Sequence, residues 1–298
     1  MGSEEAGLAL PSMGVGTNAW TEEATPALEL VARRMVEGGA RLVDTAEVYG
    51  RGASERAVGR LFGGEQPLVP GPVIITTKFM PLPWRRSGAS LRRALRASLD
   101  RLALSRVDLY LLHFPRGPLP DWFQALADAV QAGLARGVGV SNCDRDTLLA
   151  AHDALHRRGV PLVCNQVQYS LLDRTIEDNG VLQACRERGI AVVAYRPLVA
   201  GMLAAALAPT GTGLLMGAVR RIEHHRHEQR CARIRDTLAQ VADRVGHTPS
   251  QVALNWVIGR GAIPIPGART EAHAVENLGA LGWSLDDDTT KMLESSAS

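Results

Sequence analysis

Residues 73–113 contain two largely apolar runs, VIITT at 73–77 and VDLYLL at 107–112, on either side of SLRRALRASLDRL at 90–102. The middle segment has one apolar stripe, which consists of Leu91, Leu95, Leu99 and Leu102. Its other face is rich in arginine, a pattern that predicts an amphipathic helix. Apolar runs without alternation are typical of strands that are buried on both faces. The stretch therefore predicts a strand, a covering helix and a second, parallel strand.

The same strand–helix unit recurs along the chain. Eight strands are predicted, at residues 13–16, 41–44, 73–77, 107–112, 137–140, 162–166, 191–195 and 263–266. Two of the helices have recognisable starts, Thr25 before Pro26 and the capping box of Thr248 and Gln251. Eight such units fit an α/β fold, the (β/α)8 TIM barrel, which needs about 250 residues plus insertions. We therefore predict a single barrel domain over residues 1–298, with a long loop between strands seven and eight at 199–223.

Charge and hydropathy restrict the class of ligand. The chain has 33 basic and 31 acidic residues, and its formal net charge is +2. Because the two signs are interspersed, no nucleic-acid partner is predicted and the expected ligand is a small molecule. No apolar run reaches the ~20 residues of a membrane span, so no membrane partner is expected either. A monomer or a weak homo-oligomer is the expected assembly.

The cysteines indicate a reducing compartment. No two of them have C-x-x-C spacing, and each lies in an apolar or helical context; they are Cys143, Cys164, Cys185 and Cys231. The first residues are polar and acidic, unlike a secretory signal. We expect a cytoplasmic protein, with a chloroplast or another organelle as the alternative if a transit peptide has been removed.

Neighbouring strand exits have the residues needed to protonate a reduced carbonyl. Barrel enzymes place catalytic side chains at the carboxyl ends of strands, where this chain has Asp44, Lys78 and His113. Tyr49 follows on the loop after strand two; a tyrosine holds its proton at neutral pH, and a nearby ammonium lowers its pKa toward the working range. Lys78 would supply that charge, and Asp44 would keep the lysine charged and oriented. His113 would hydrogen-bond the substrate oxygen.

Seven short motifs connect these exits with a known family. They are DTAEVYG at 44–50, TKF at 77–79, DLYLLH at 108–113, GVGVSN at 137–142, NQV at 165–167, AYRPL at 194–198 and IPIPGAR at 263–269. In this order and spacing they resemble the aldo-keto reductase superfamily over nearly the whole chain. The resemblance implies an NADP(H)-dependent oxidoreductase of the alcohol-dehydrogenase type. Such an enzyme reduces aldehydes or ketones to alcohols by hydride transfer and by proton donation, here from Tyr49.

The resemblance also implies a cofactor site across the strand ends. The nicotinamide would stack on Tyr195, and Arg269 would bind the adenosine 2′-phosphate, which favours NADP(H) over NAD(H). Ser141, Asn142 and Gln166 would hold the carboxamide, and Glu276 and Asn277 would face the adenine. The full set of residues predicted to contact the cofactor is Gly16, Thr17, Asn18, Asp44, Ser141, Asn142, Gln166, Tyr195, Arg196, Pro197, Leu198, Gly201, Ile265, Gly267, Ala268, Arg269, His273, Glu276 and Asn277.

Three positions depart from the family pattern. Arg196 stands where relatives often have serine, and AAA at 204–206 replaces the Thr-Gly-Lys that is common after the glycine of this loop. His273 stands where many relatives have arginine or glutamine, so its phosphate contact is expected to depend on pH.

Finer similarity concerns the substrate. The segments KFMPLPWR at 78–85 and GWSL at 282–285 are similar to the plant-type branch that contains pyridoxal reductases. Pyridoxal, reduced to pyridoxine, is therefore a candidate among small carbonyl compounds. The predicted substrate pocket consists of Trp20, Tyr49, Phe79, Trp84, His113 and Phe114.

Plainer interpretations of the same residues exist. Asp44 and Lys78 could be a structural ion pair, although Lys78 is one of only two lysines in the chain. The polar residues at the ends of strands five and six could satisfy backbone groups, and the aromatic residues could be packing. Gly14 and Gly16 do not indicate a dinucleotide-binding fingerprint, because no third glycine follows at the required spacing.

Two other classes of protein are weighed against the reductase. A non-catalytic or weakly active NADP(H)-binding sensor, similar to channel β-subunits with this fold, is the alternative function; the complete set of four catalytic residues favours the enzyme. A metal-dependent barrel hydrolase would need a cluster of His, Asp and Glu at the strand ends, which the sequence lacks. His224, His225 and His227 have no i,i+4 spacing and predict a solvated helix face rather than a metal site.

Overall fold

The computed structural model describes residues 7–20, 25–199 and 231–297. Eight parallel strands form one sheet in chain order, β1 to β8. They are β1 Gly14–Gly16, β2 Leu42–Asp44, β3 Ile74–Phe79, β4 Val107–Leu112, β5 Ala135–Ser141, β6 Leu162–Gln168, β7 Ala191–Tyr195 and β8 Ala262–Pro264. The sheet closes where Gly16 pairs with Gly267 and the Gly16 N–H donates to the Pro266 carbonyl at 3.0 Å. The predicted (β/α)8 barrel is confirmed.

Helices cover the outside of the sheet. They are α1 Pro26–Glu37, α2 Ala53–Phe62, α3 Gly88–Leu102, α4 Leu119–Gln131, α5 Arg145–His156, α6 Thr175–Asp178, α7 Val181–Glu187, α8 Pro249–Gly259, α9 Glu271–Leu278 and α10 Asp287–Ser296, and residues 231–245 are helical as well. Both predicted caps are confirmed: the Thr25 side chain accepts from the Leu28 N–H, and Thr248 and Gln251 form the reciprocal box. The four leucines of the stripe on α3 are all buried.

All eight predicted strands are confirmed, but several of their ends are different. β3 continues through Phe79, because Lys78 and Phe79 still pair with Leu111 and Leu112 of β4. The polar side chain of Lys78 therefore does not mark the end of the strand. The predicted loop at 199–223, with Gly201, lies outside the described residues from position 200 onward, and so do His224, His225 and His227.

Alternation along each strand decides what enters the barrel. Successive side chains of a strand point to opposite faces, so every second residue of a barrel strand points inward. The interior is filled by a separate apolar cluster, which consists of Leu8, Leu42, Leu109, Leu111, Val163, Cys164, Val193 and Ile265. Asp44 lies two residues after Leu42, His113 two after Leu111, and Gln166 two after Cys164. The polar residues thus occupy the last inward positions, above a closed apolar floor.

Two further features concern the cysteines and the length of the helices. The four cysteines are buried and form no disulfide. No helix in the described part of the chain is both long and apolar enough to cross a membrane.

Candidate active site

Lys78 is at the centre of the predicted catalytic group. Its Nζ donates to Asp44 Oδ2 at 2.7 Å, to the Thr45 carbonyl at 2.8 Å and to Tyr49 Oη at 3.3 Å. An ammonium has three N–H donors, so all of them are used. The side chains of Lys78 and Asp44 are 0% and 2% exposed. The structure therefore brings together three of the four residues through direct hydrogen bonds.

His113 completes the group from the next strand. Its ring lies edge-on to that of Tyr49, with 5.8 Å between the centroids, and the Phe114 ring stacks on it with 5.2 Å between the centroids. The Nδ1 atom is buried and has no hydrogen-bond partner in the described structure. The imidazole and the phenol thus face the same space at the barrel mouth.

Backbone conformation places Tyr49. The tyrosine begins a 3-10 turn, Tyr49–Gly52, in which Gly50, Arg51 and Gly52 all have positive φ, at 56°, 55° and 85°. Such a run reverses the chain within a few residues, and two of the three positions are glycine, which adopts this conformation without strain. The turn separates β2 from α2 and leaves the phenol beside Lys78.

A cluster of buried hydroxyls supports the exits of β1 and β2. Thr17 Oγ1 donates to the Asp44 carbonyl at 2.9 Å and lies 2.7 Å from Ser54 Oγ. The Ser54 hydroxyl donates to the Thr17 carbonyl and lies 2.8 Å from Thr45 Oγ1. Thr17 was predicted to contact the cofactor, whereas its hydroxyl here holds the backbone that carries Asp44. Neither Thr45 nor Ser54 was predicted as a site residue, because hydroxyl pairs between distant loops leave no periodic signal in a sequence.

Burial and charge act in opposite directions on the tyrosine. Burial raises the pKa of Tyr49, and the Lys78 ammonium lowers it by less, so the pKa lies above its ordinary value. The expectation that Lys78 would bring the net pKa down toward neutrality is wrong for this structure, because desolvation of the phenolate outweighs the attraction of the ammonium. The phenol is therefore protonated at neutral pH and has a proton that it can donate.

Lys78 and His113 have different protonation states at neutral pH. Burial alone would lower the pKa of Lys78, but Asp44 and Tyr49 together raise it, so the lysine is charged. Burial, with a smaller contribution from Lys78, lowers the pKa of His113 to about 3. The imidazole is consequently neutral at physiological pH and can donate one N–H to a substrate oxygen.

The predicted carboxamide-binding residues form one network with Asp44. Gln166 Nε2 donates to Asp44 Oδ1 at 2.7 Å, and Ser141 Oγ donates to the Gln166 carbonyl at 2.8 Å. Asn142, at φ 59°, donates to Ser141 Oγ and to the His113 carbonyl, and it accepts from Tyr195 Oη at 2.8 Å. The half-buried Tyr195 ring and these amides lie at the ends of adjacent strands. Their chemistry fits a flat aromatic amide such as nicotinamide.

The exits of β1 and β8 are joined by side chains. The buried Trp20 donates its indole N–H to the Ala268 carbonyl at 2.7 Å, and the buried Asn277 donates to the Gly267 carbonyl at 3.3 Å. Glu276 accepts from the Thr248 hydroxyl, so its carboxylate is directed toward the start of α8. These three contacts favour a structural role for residues that were predicted to meet adenine or substrate.

The start of α9 fits a phosphate group. Arg269 is exposed directly before the helix, and Thr270 caps it by accepting from the His273 N–H at 3.2 Å. A cation beside a helix N-terminus attracts anions. An arginine here and the amide cluster at β5 and β6 fit the two ends of a phosphorylated nicotinamide dinucleotide.

The other predicted cofactor residues lie along the same rim. Asn18 and Gly267 are exposed, Gly16, Arg196 and Leu198 are half-buried, and Pro197 and Ile265 are buried. Arg196 has a positive φ of 53°, which turns the chain immediately after Tyr195. Their contacts with a cofactor stay predictions.

The predicted substrate aromatics divide into two groups. Phe79 was wrongly predicted to line the pocket: it is 0% exposed, and its ring packs on Trp122 of α4 at 5.0 Å. The reason is strand alternation, since Lys78 points into the barrel and its neighbour must point toward the helices. Trp84 is 74% exposed on the loop after β3, and Phe114 is half-buried beside His113.

No group of three or more His, Cys, Asp and Glu side chains that could hold a metal ion occurs among the described residues.

Known proteins are similar to this chain in sequence and in fold. The sequence profile of the aldo/keto reductase family matches residues 12–298. The chloroplastic pyridoxal reductase of Arabidopsis thaliana is 36% identical, over 97% of this chain and 84% of the relative. A solved aldo-keto reductase from Klebsiella pneumoniae in complex with NADPH is 29% identical with a TM-score of 0.75, and the match covers 97% of this chain and 91% of that one. An Schizosaccharomyces pombe aldo-keto reductase named for NADP(+) is 30% identical over 91% of this chain and 82% of its own length. The chain therefore belongs to the aldo/keto reductase family.

Proposed function

We propose that this protein reduces a small aldehyde or ketone to the alcohol with NADPH, and that Tyr49 donates the proton. The observation that carries the proposal is the contact of a buried, Asp44-paired Lys78 with the phenol of Tyr49 at 3.3 Å. The crystallised relative with NADPH and the fit of Arg269 to a phosphate support the choice of cofactor. Bound NADPH would supply the hydride that attacks the carbonyl carbon.

The residues of the chain would handle the oxygen and its proton. The neutral His113 would donate a hydrogen bond to the carbonyl oxygen and orient it. As negative charge develops on that oxygen, the Tyr49 phenol would transfer its proton, and Lys78 would stabilise the phenolate that remains. Asp44 would keep the ammonium charged and directed at Tyr49, and solvent would return the proton to the phenolate before the next turnover.

Pyridoxal is the substrate that we propose to test first. Support comes from the similarity to the Arabidopsis pyridoxal reductase at 36% identity. The exposed Trp84 and the half-buried Phe114 offer aromatic surface near the mouth, on which a pyridine ring can stack. The reaction would convert the aldehyde of pyridoxal to the primary alcohol of pyridoxine.

The proton donor is tested with Tyr49→Phe. Because a positioned general acid contributes about 10²- to 10⁴-fold, we expect carbonyl-dependent NADPH oxidation to fall by at least about 10²-fold, with normal folding. Tyr110→Phe is the matched control, since Tyr110 is also fully buried but lies outside the site. A Tyr49→Phe variant that folds and keeps most of the activity would exclude Tyr49 as the donor.

A substrate screen tests the reaction class and the cofactor. NADPH oxidation is followed with aldehydes, ketones, sugars and pyridoxal, and NADH replaces NADPH in a parallel series. We expect turnover with NADPH to exceed that with NADH, and kcat/KM for pyridoxal to be the highest of the panel. Absence of turnover with every carbonyl, with NADPH still bound, would instead support a sensor.

A further inference from the structure

Two buried carboxylates that have no part in the proposed chemistry flank Tyr49 in the sequence. Glu47 lies two residues before the tyrosine, and Glu55 lies six residues after it, on the first turn of α2. Their side chains are 7% and 0% exposed. Burying an ionised carboxylate costs free energy unless its partners are well placed, so the partners of these two groups are informative.

Glu47 joins the tyrosine segment to the chain just after Lys78. Its Oε1 accepts from the Met80 backbone N–H at 2.7 Å and from Arg85 Nη1 at 2.5 Å. Met80 lies two residues beyond Lys78, directly after β3 ends. The guanidinium of Arg85 also lies over the Phe79 ring and donates to the Met80 carbonyl, which fixes the loop against the strand.

Glu55 joins the same segment to the chain just before Lys78. Its Oε1 accepts from Thr77 Oγ1 at 2.6 Å, and its Oε2 accepts from Arg101 Nε of α3 at 2.6 Å. Arg101 reaches the carboxylate by passing Gly52, where a Cβ atom would lie only 2.7 Å from Arg101 Cδ. Gly52, which ends the turn after Tyr49, therefore leaves the space that the Arg101 side chain needs to reach Glu55.

The contacts of Glu47 and Glu55 affect the longest hydrogen bond of Lys78, which is the one to Tyr49. Lys78 Nζ is 2.7 Å and 2.8 Å from two of its acceptors but 3.3 Å from Tyr49 Oη. Both of the shorter contacts are to residues of β2 and its exit, whereas Tyr49 lies on a turn that carries Glu47 on one side and Glu55 on the other. The carboxylates connect this turn to β3 on both sides of Lys78.

We propose that Glu47 and Glu55 are positioning residues that set the distance between Tyr49 and Lys78. This role rests on the proposed function of Tyr49 as proton donor. Misplacement of reacting groups by about 1 Å can cost about 10²-fold in rate, so a small displacement of the turn would reduce turnover. Because Glu55 contacts Thr77 and Arg101 rather than the loop that carries Trp84, removal of its charge should change substrate affinity little.

The test uses variants that remove one hydrogen bond at a time. Glu47→Gln and Glu55→Gln are nearly isosteric, and Thr77→Val removes the hydroxyl that Glu55 accepts from, whereas Thr77→Ser keeps it. Glu177→Gln is the matched control, because Glu177 accepts from Tyr169 and Arg174 in another ion-pair network and its side chain is 14% exposed. Folding of every variant is checked by its melting temperature.

We expect Glu47→Gln, Glu55→Gln and Thr77→Val to lower kcat about tenfold or more. For Glu55→Gln and Thr77→Val, KM and NADPH affinity should stay within about twofold of wild type. Thr77→Ser should restore kcat, and Glu177→Gln should leave kcat unchanged even where it lowers the melting temperature. The proposal would be overturned if Glu47→Gln, Glu55→Gln and Thr77→Val lowered the melting temperature as much as Glu177→Gln does but left kcat unchanged.

A second readout needs no turnover. Lys78 and Lys291 are the only lysines, so lysine labelled with ¹³C at Cε gives two NMR signals. We expect Glu47→Gln and Glu55→Gln to move the Lys78 signal and leave the Lys291 signal in place, and Glu177→Gln to move neither. Unchanged Lys78 signals would refute the positioning role, whereas a wild-type protein without any carbonyl-dependent NADPH oxidation would refute the proposed function alone.

Discussion

Burial disfavours charge on Tyr49, Lys78 and His113 alike, yet the three side chains have different protonation states. Lys78 is charged because Asp44 is bonded to it and Tyr49 adds to the attraction. Burial is the larger cause that lowers the pKa of His113 to about 3, and the Lys78 ammonium adds a smaller contribution in the same direction. Tyr49 keeps its proton because desolvation of the phenolate dominates. A charged lysine paired with Asp44, next to two neutral groups that can donate a proton or a hydrogen bond, is consistent with the proposed carbonyl reduction.

The depressed pKa of His113 predicts a loss of stability in mild acid. In the unfolded chain a histidine binds a proton below about pH 6.5, whereas the folded protein takes it up only near pH 3. The contribution of His113 to stability is therefore complete above pH 6.5 and is lost as the pH falls toward 3, at up to about 1.4 kcal/mol per pH unit. Between pH 7 and 5 the wild type should lose about 2 kcal/mol more than His113→Gln in urea unfolding.

The control for this prediction is His156→Gln, which removes an exposed histidine from α5. That variant should retain the pH dependence of the wild type. Equal pH slopes for wild type and His113→Gln would show that the buried imidazole is not neutral in the folded state.

The sequence could predict that the four candidate catalytic residues lie close together, because Asp44, Lys78 and His113 lie at or near the ends of neighbouring strands and Tyr49 follows on the loop after β2. It could not predict which way Phe79 points, since that depends on the register of Lys78 within a strand whose end was predicted two residues too early. It also could not predict the net pKa of Tyr49, because that depends on how completely the phenol is buried. Both errors concern the environment of a residue rather than its identity.

At the scale of the elements, helix starts were the best-predicted feature. Caps depend on residues within one turn, so Thr25 and the Thr248 box could be read from neighbouring positions. The bond from the Thr248 hydroxyl to Glu276 could not, because it joins α8 to α9 over a long separation in the chain. It gives Glu276, which was predicted to face the adenine, a structural contact at the junction of two helices.

We expect Thr248→Ala to lower the free energy of unfolding by about 1–2 kcal/mol. The variant loses the N-cap bond to Gln251 and the contact with Glu276, and N-cap losses alone cost about 1 kcal/mol. Thr248→Ser should restore most of the loss. Thr237→Ala, which removes a hydroxyl that donates to the Arg233 carbonyl of its own helix, is the control and should change stability by less than about 0.5 kcal/mol. Equal effects of the two alanine variants in urea unfolding would contradict a special role for the box.

At the scale of the whole molecule, the barrel closes through glycines rather than through a long ladder. β1 has only three residues and must fit between β2 and the chain after β8. Gly14 lies where a Cβ atom would be 2.5 Å from the Leu42 carbonyl oxygen and 2.9 Å from Ile265 Cγ2. The two glycines that failed to match a dinucleotide fingerprint therefore have a different purpose, which is close approach of strands at the seam.

This closure predicts that Gly14→Ala is costly although alanine is small. The new methyl group would meet a backbone carbonyl, which cannot move without separating β1 from β2, so we expect a loss of about 1–3 kcal/mol in the free energy of unfolding. Gly259→Ala is the matched control: it lies at the end of α8 with no atom within 4 Å of its Cβ, and it should be neutral or stabilising by up to about 1 kcal/mol. If both variants unfold at the same urea concentration as wild type, the seam tolerates a side chain and its glycines are not needed for closure. If Gly14→Ala is destabilised, it should also lose activity. A displaced β1 would move Gly16, which pairs with Asp44, and Thr17, whose hydroxyl donates to the Asp44 carbonyl.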